Sequence, residues 1–229
     1  MTDNTNKTTA KDVAHSLVKG GLGTIPIIGS LATEIFGLIV TPPLEKRRAE
    51  WMNEVAEKLK ELEENKTINF EDLQKNEQFI DVVLQATTLA LKTSEKEKIK
   101  AFQNAVINTA SGQSPDQTKS QIFLNQLDSF TTWHIRILVF IDSPRLWFQK
   151  ANRNPPNFMA GSISSVINDA YPELKNQDDL LDLIWNDLSN AGFHRTSGIK
   201  TTMSGDGALS ERTTPLGKQF IQYITNDRT

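Results

Sequence analysis

The 229-residue chain carries 25 lysines and arginines against 28 aspartates and glutamates, and it has no cysteine. This length supports one or two domains with a real core, and a 38% hydrophobic share is too high for a disordered chain. The balanced charge leaves no overall footprint for nucleic acid, and the missing cysteines exclude disulfides, thiol catalysis and cysteine-ligated zinc.

Residues 1–10, a Thr/Asn/Lys tract, read as a disordered polar tail, and this start predicts no signal peptide at Met1. Residues 20–40, GGLGTIPIIGSLATEIFGLIV, hold one charge, Glu34, and are followed by Thr41-Pro42-Pro43, which should end a helix. Ile27, Leu31, Ile35 and Leu38 fall on one helical face, with Ile28, Phe36 and Ile39 on another. A helix that is apolar nearly all round belongs in a core or in lipid. Residues 44–64 are amphipathic instead: Trp51, Val55, Leu59 and Leu62 make one stripe, and Glu50, Asn53, Glu54, Glu57, Lys58 and Glu61 a solvated face. The Pro-Pro corner predicts that this helix folds back on the apolar one as a hairpin.

A helix over 71–93 carries Phe79, Ile80, Val83, Leu84 and Ala90. Ser94-Glu95-Lys96-Glu97 reads as a capping box that opens a helix with Ile99, Phe102, Val106 and Ala110 on one face, closed by Gly112. Ser114-Pro115-Asp116-Gln117 repeats the start signal before Ile122, Phe123 and Leu127. Residues 11–128 therefore read as a helical bundle.

The tail, 129–229, changes character. A short apolar helix over 131–141 breaks at Asp142-Ser143-Pro144, a second lies near 162–170, and Asp178 caps a third that ends at Gly192. Two β-prone runs, 193–202 and 208–213, flank Ser204-Gly205-Asp206-Gly207, the composition of a hairpin turn. A last helix over 215–224 shows Leu216, Phe220 and Ile224 on one face.

Three segments, Leu180-Leu181-Asp182-Leu183-Ile184-Trp185-Asn186-Asp187-Leu188, Ala191-Gly192-Phe193 and Thr214-Pro215-Leu216-Gly217-Lys218-Gln219-Phe220, resemble the winged-helix superfamily over about 129–225. The resemblance implies a mainly α protein: an N-terminal bundle, then a winged-helix-like α+β domain with a small β-hairpin. It says little about the partner. The N-terminal region resembles glycine-punctuated helical segments of uncharacterised bacterial proteins and of cell-death effectors.

The third helix of a winged helix normally enters the major groove with basic and amide side chains. Here it carries Asp178, Asp179, Asp182 and Asp187, with no lysine or arginine between Lys175 and Arg195. Carboxylates facing phosphates repel, so these aspartates are a candidate surface for a protein partner, and duplex DNA is disfavoured. His15, His134 and His194 sit in separate segments without metal-ligand spacing, and the Ser204–Gly207 stretch lacks the GK[ST] ending of a phosphate loop. No catalytic centre, cofactor or metal is expected.

Ile27, Leu31, Glu34, Ile35 and Leu38 mark the candidate core or membrane helix. At about 1.5 Å rise its 21 residues match a bilayer core, with Lys46, Arg47 and Arg48 as a basic flank. Glu34 opposes insertion by about 2–3 kcal/mol. The first expectation is a cytoplasmic, non-catalytic interaction or scaffolding protein that binds a protein partner or itself. The alternative is a membrane-active effector that uses residues 20–40, becoming membrane-associated on activation; a DNA-binding regulator ranks third.

Overall fold

The computed structural model describes residues 30–226, with side chains from residue 37 onward. The chain forms two compact units, one ending at Ala56 and the other running Glu57–Thr229. Helix α1, Ser30–Glu64, crosses that boundary and continues through Pro42 and Pro43, so the hairpin expected at that corner does not form. Proline keeps φ at the helical value; it removes its own N–H and crowds the carbonyl four residues before it. The carbonyls left without donors belong to Leu38 and Ile39, which are 78% and 65% exposed, where water can satisfy them. Leu38, expected on a stripe facing core or lipid, thus faces solvent. Ile27 lies outside the described residues, as do the side chains of Leu31, Glu34 and Ile35. Trp51, Val55 and Leu62 of the amphipathic stripe are buried.

After α1 come α2 (Phe70–Leu73), α3 (Glu77–Lys92), α4 (Lys96–Ala110), α5 (Gln117–Ser129), α6 (Thr132–Asp142), α7 (Pro144–Lys150) and β1 (Ala160–Gly161). The chain continues as α8 (Ile163–Ala170), a 3-10 turn (Pro172–Leu174), α9 (Asp178–Asn190), β2 (Met203–Ser204), α10 (Gly205–Ala208) and α11 (Pro215–Ile224). The described residues are thus mainly α, with eleven helices and one small antiparallel sheet in the C-terminal part.

The central helix is α4. Every residue from Ala101 to Ala110 is buried, and α3, α5 and α11 pack around it. On α3 the small side chains Ala86 and Ala90 are buried beside Val82 and Leu89, while Leu84, expected inward, is exposed. The single helix expected over 71–93 is split, because Asn76 turns the chain and its side chain accepts Phe79 N–H at 3.0 Å. On α5, Phe123, Leu124 and Leu127 point inward and Ile122 outward.

The capping box expected at Ser94 does not form either. Helix α4 begins at Lys96 with Glu95 at the cap and no side-chain cap bond. Both glutamates are drawn across to α6 instead: Glu95 accepts Thr132 N–H at 3.2 Å, and Glu97 pairs with the Arg136 guanidinium.

Polar side chains of α4 then tie the first and last parts of the unit together. Asn108 Nδ2 donates to the carbonyls of Gln222, Tyr223 and Thr225 at 2.9–3.0 Å, and Asn104 Nδ2 to that of Ile224 at 2.9 Å. Helices leave their last carbonyls without internal donors, and two asparagines one turn apart supply donors for α11. Beside this clamp, Phe123 of α5 meets Phe220 edge-on at 5.3 Å, and Phe220 stacks on Phe193 at 4.6 Å.

The two β-prone runs of the tail do not make a hairpin with each other beyond a single bridge, His194–Thr213. Met203–Ser204 pairs with Ala160–Gly161, and Ser204 caps a helical turn, α10, where a reverse turn was expected. The cause is competition for backbone groups. The Trp185 indole N–H donates to the carbonyls of Thr196 and Ser197 at 3.2 and 3.0 Å, which ties this run to α9.

Two substitutions test this core in the full chain. Asn108→Leu should destabilise it by about 1–3 kcal/mol by leaving α11 carbonyls without a donor. Phe220→Ala should remove about 3–5 kcal/mol, because the ring is fully buried. Chemical denaturation midpoints measure both, and an unchanged midpoint in either variant contradicts the packing described.

Candidate functional site

The segments 180–188, 191–193 and 214–220 meet at the end of α9. Gly192 ends it with φ +77°, a left-handed conformation that glycine adopts without strain. Thr214 then grips this corner: its N–H donates to Phe193 O at 2.8 Å and its hydroxyl to Gly192 O at 2.7 Å, while Oγ1 accepts Gly217 N–H at 3.1 Å and so caps α11. A Cβ at position 217 would lie 2.6 Å from Phe193 O and 2.5 Å from Thr213 Cγ2. Glycine is therefore a requirement of the close approach at that position.

Helix α9 buries Leu181, Ile184, Trp185 and Leu188 and turns Asp179, Leu183 and Asn186 outward. Of the four aspartates proposed as a surface, three have partners inside the molecule. Lys200 Nζ lies 2.9 Å from Asp182 and 3.6 Å from Asp178, and the hydrogen bond to Asp182 raises the lysine's pKa, helped by both carboxylate charges. Asp187 Oδ2 is 3.3 Å from His134 Nε2. Asp178 lies in the first turn of α9, with Gln177 at the cap, and there it and Asp179 complement the helix dipole. The outward strip is consequently Asp179, Leu183 at 55% exposure, and Asn186, with no cation on it.

Both described histidines are buried and committed to hydrogen bonds. His134 stacks on Phe130 with ring centroids 4.8 Å apart. Its Nδ1 accepts Thr131 N–H at 3.1 Å, with Thr131 Oγ1 at 2.9 Å. This is the reciprocal half of a capping box, with imidazole in the place usually taken by glutamate or glutamine. His194 Nε2 donates to Trp185 O at 2.8 Å, its Nδ1 accepts Thr196 N–H at 3.3 Å, and its ring lies 3.9 Å from that of Trp185. Burial lowers the pKa of both imidazoles, against the opposing pull of Asp187 on His134 and of the Trp185 carbonyl on His194.

Thr131, His134 and Asp187 make a hydroxyl–imidazole–carboxylate row, a pattern that nucleophilic catalysis also uses. Here the Nδ1 lone pair faces a backbone N–H, so the imidazole acts as a helix cap. An open cleft of about 660 Å³ lies elsewhere, lined by Glu63, Lys66, Asn69, Asp72, Asn76 and Ala110. Among the described residues no group of three or more histidine or acidic side chains is arranged to hold a metal ion. His15 lies outside them.

Sequence reasoning marked the α9 carboxylates but missed what holds them, Lys200 and His134. It also missed the α4 asparagines. Their signal was available: Asn104 and Asn108, four apart, share a helix with Phe102 and Val106, where a purely apolar stripe would be the simpler core.

On α1, Leu38, Ile39 and Val40 are 78%, 65% and 46% exposed in succession, while Met159, Leu84 and Leu183 are exposed singly elsewhere. No helix among the described residues is long and apolar enough to cross a membrane. No protein-family model, curated protein or solved structure matches this chain.

Proposed function

We propose that this chain is a non-catalytic interaction protein that self-associates through the apolar end of α1, with the Glu57–Thr229 unit as its scaffold. The observation that carries this reading is the exposure of Leu38, Ile39 and Val40. Consecutive exposed apolar side chains are unfavourable in water and mark contact surfaces. In sequence they directly follow the apolar run 20–37.

The tail contributes a second contact surface. The order α6, α7, β1, α8, 3-10 turn, α9, β2, α10 and closing α11 is what supports a winged-helix-like reading of residues 129–225. Its third helix shows Asp179, Leu183 and Asn186 to solvent, which suits a protein partner and repels phosphate. A second functional reading is favoured by the neighbours of the apolar run: Lys46, Arg47 and Arg48 follow it, and basic flanks attract anionic lipid. In that reading the same end of α1 meets a membrane.

Sedimentation velocity on the full chain should show concentration-dependent association. The double substitution Leu38→Asp, Ile39→Asp should weaken it about a hundredfold, since each buried side chain contributes about 1.5 kcal/mol or more. A wild type that stays monomeric but floats with anionic vesicles, and loses flotation in the same variant, replaces self-association by lipid binding. On random-sequence duplex DNA at low salt, where attraction is largest, the protein should show no sub-micromolar, salt-dependent binding. Such binding would overturn the protein-contact reading of α9.

A further inference from the structure

We infer that α9 is held in place by an acid-sensitive latch, in which the neutral imidazoles of His134 and His194 secure its two flanks and release them on protonation. The hydrogen bonds leave each ring a single arrangement. In His134 the proton sits on Nε2, toward Asp187 of α9, because Nδ1 receives the Thr131 N–H. In His194 it sits on Nε2 again, toward the Trp185 carbonyl of α9, because Nδ1 receives the Thr196 N–H. A second proton has only Nδ1 to bind, where in both rings a backbone N–H already points; at His134 its one acceptor would be the Thr131 hydroxyl oxygen, 2.9 Å away and already accepting the His134 N–H. Protonation therefore sets donor against donor at the start of α6 on one side of α9, and in the segment after Phe193 on the other.

The charged groups around the two rings do not cancel this. His134 faces Asp187 from α9, which favours the imidazolium, and Lys98 from α4, which opposes it. His194 faces Arg212 from the segment before α11, which also opposes it. Burial is the largest influence on both rings and holds them below the ordinary value of 6.5. The sign follows from linkage. Imidazoles with lowered folded pKa bind fewer protons than they do once released, so the latch is at full strength above about pH 6.5 and weakens as pH falls below it. Release uncovers Trp185, whose indole N–H is wrapped by the carbonyls of Thr196 and Ser197, and the apolar face formed with Leu181, Ile184 and Leu188. A surface buried at neutral pH thus becomes available in acid, independently of the contact made by α1.

Amide hydrogen exchange on the full chain, corrected for intrinsic rates, reads the latch directly. Between pH 7 and pH 5, protection in α9 and in 193–199 should fall about tenfold or more relative to α4, the internal reference. An equal change in α9 and α4 would overturn the proposal. In the wild type both imidazoles should titrate below 6.5 by NMR, and a value at or above 6.5 for either ring would also overturn it. Asp187→Asn keeps an acceptor and removes the charge that favours imidazolium, so the loss of protection in acid should deepen; an unchanged or shallower loss contradicts the latch. The pair His134→Gln, His194→Gln should remove the pH dependence, and the wild-type exchange and titration decide the question even if that variant does not fold.

Discussion

The carbonyls of Tyr223 and Ile224 end the last helix inside the protein, where water cannot reach them, and two asparagines of the central helix meet them. Much else follows from that requirement. Asn104 and Asn108 must sit within hydrogen-bonding reach of the end of α11, which brings α4 and α11 side by side. With α11 fixed, Phe220 enters the ring cluster of Phe123, Phe130 and Phe193. A buried polar contact of this kind adds direction to a core, because apolar surfaces can slide over one another while an amide aimed at a carbonyl cannot.

How much of this was legible in the sequence depended on whether the signal was local. Thr214-Pro215 at the start of α11 and Gly192 at the end of α9 could be read because capping chemistry acts over three or four residues. The mainly helical class, with a small sheet in the C-terminal part, was legible from apolar periodicity. Failures came where a residue answered to a distant partner. Glu95 and Glu97 had the spacing of a cap but turned to Thr132 and Arg136. The 193–202 run had strand composition but gave its carbonyls to Trp185. Pro42 and Pro43 had the chemistry of a stop, yet the helix continued through an exposed stretch.

The candidate surface divides in the same way. The aspartates of α9 were visible as a charge pattern, and Asp179 remains a free outward carboxylate. Whether the other three were free could not be read, since Lys200 and His134 reach them from 18 or more residues away in sequence, through the tertiary fold. The histidines illustrate the converse. Spacing offered no metal-ligand pattern, and the role of His134 and His194 as helix-flanking hydrogen-bond centres required the backbone N–H groups of Thr131 and Thr196 to be in place.

The asparagine clamp has a consequence for how the protein is made. Asn108 waits for partners 114 to 117 positions downstream. At ribosomal speeds of about 5–20 residues per second, that delay is roughly 6–23 seconds. During it the α4 carboxamides lack the carbonyls they will meet, and once α5 is made Phe123 still lacks Phe220. A chain interrupted before α11 would keep that apolar surface uncovered, the kind of surface that chaperones and proteases recognise.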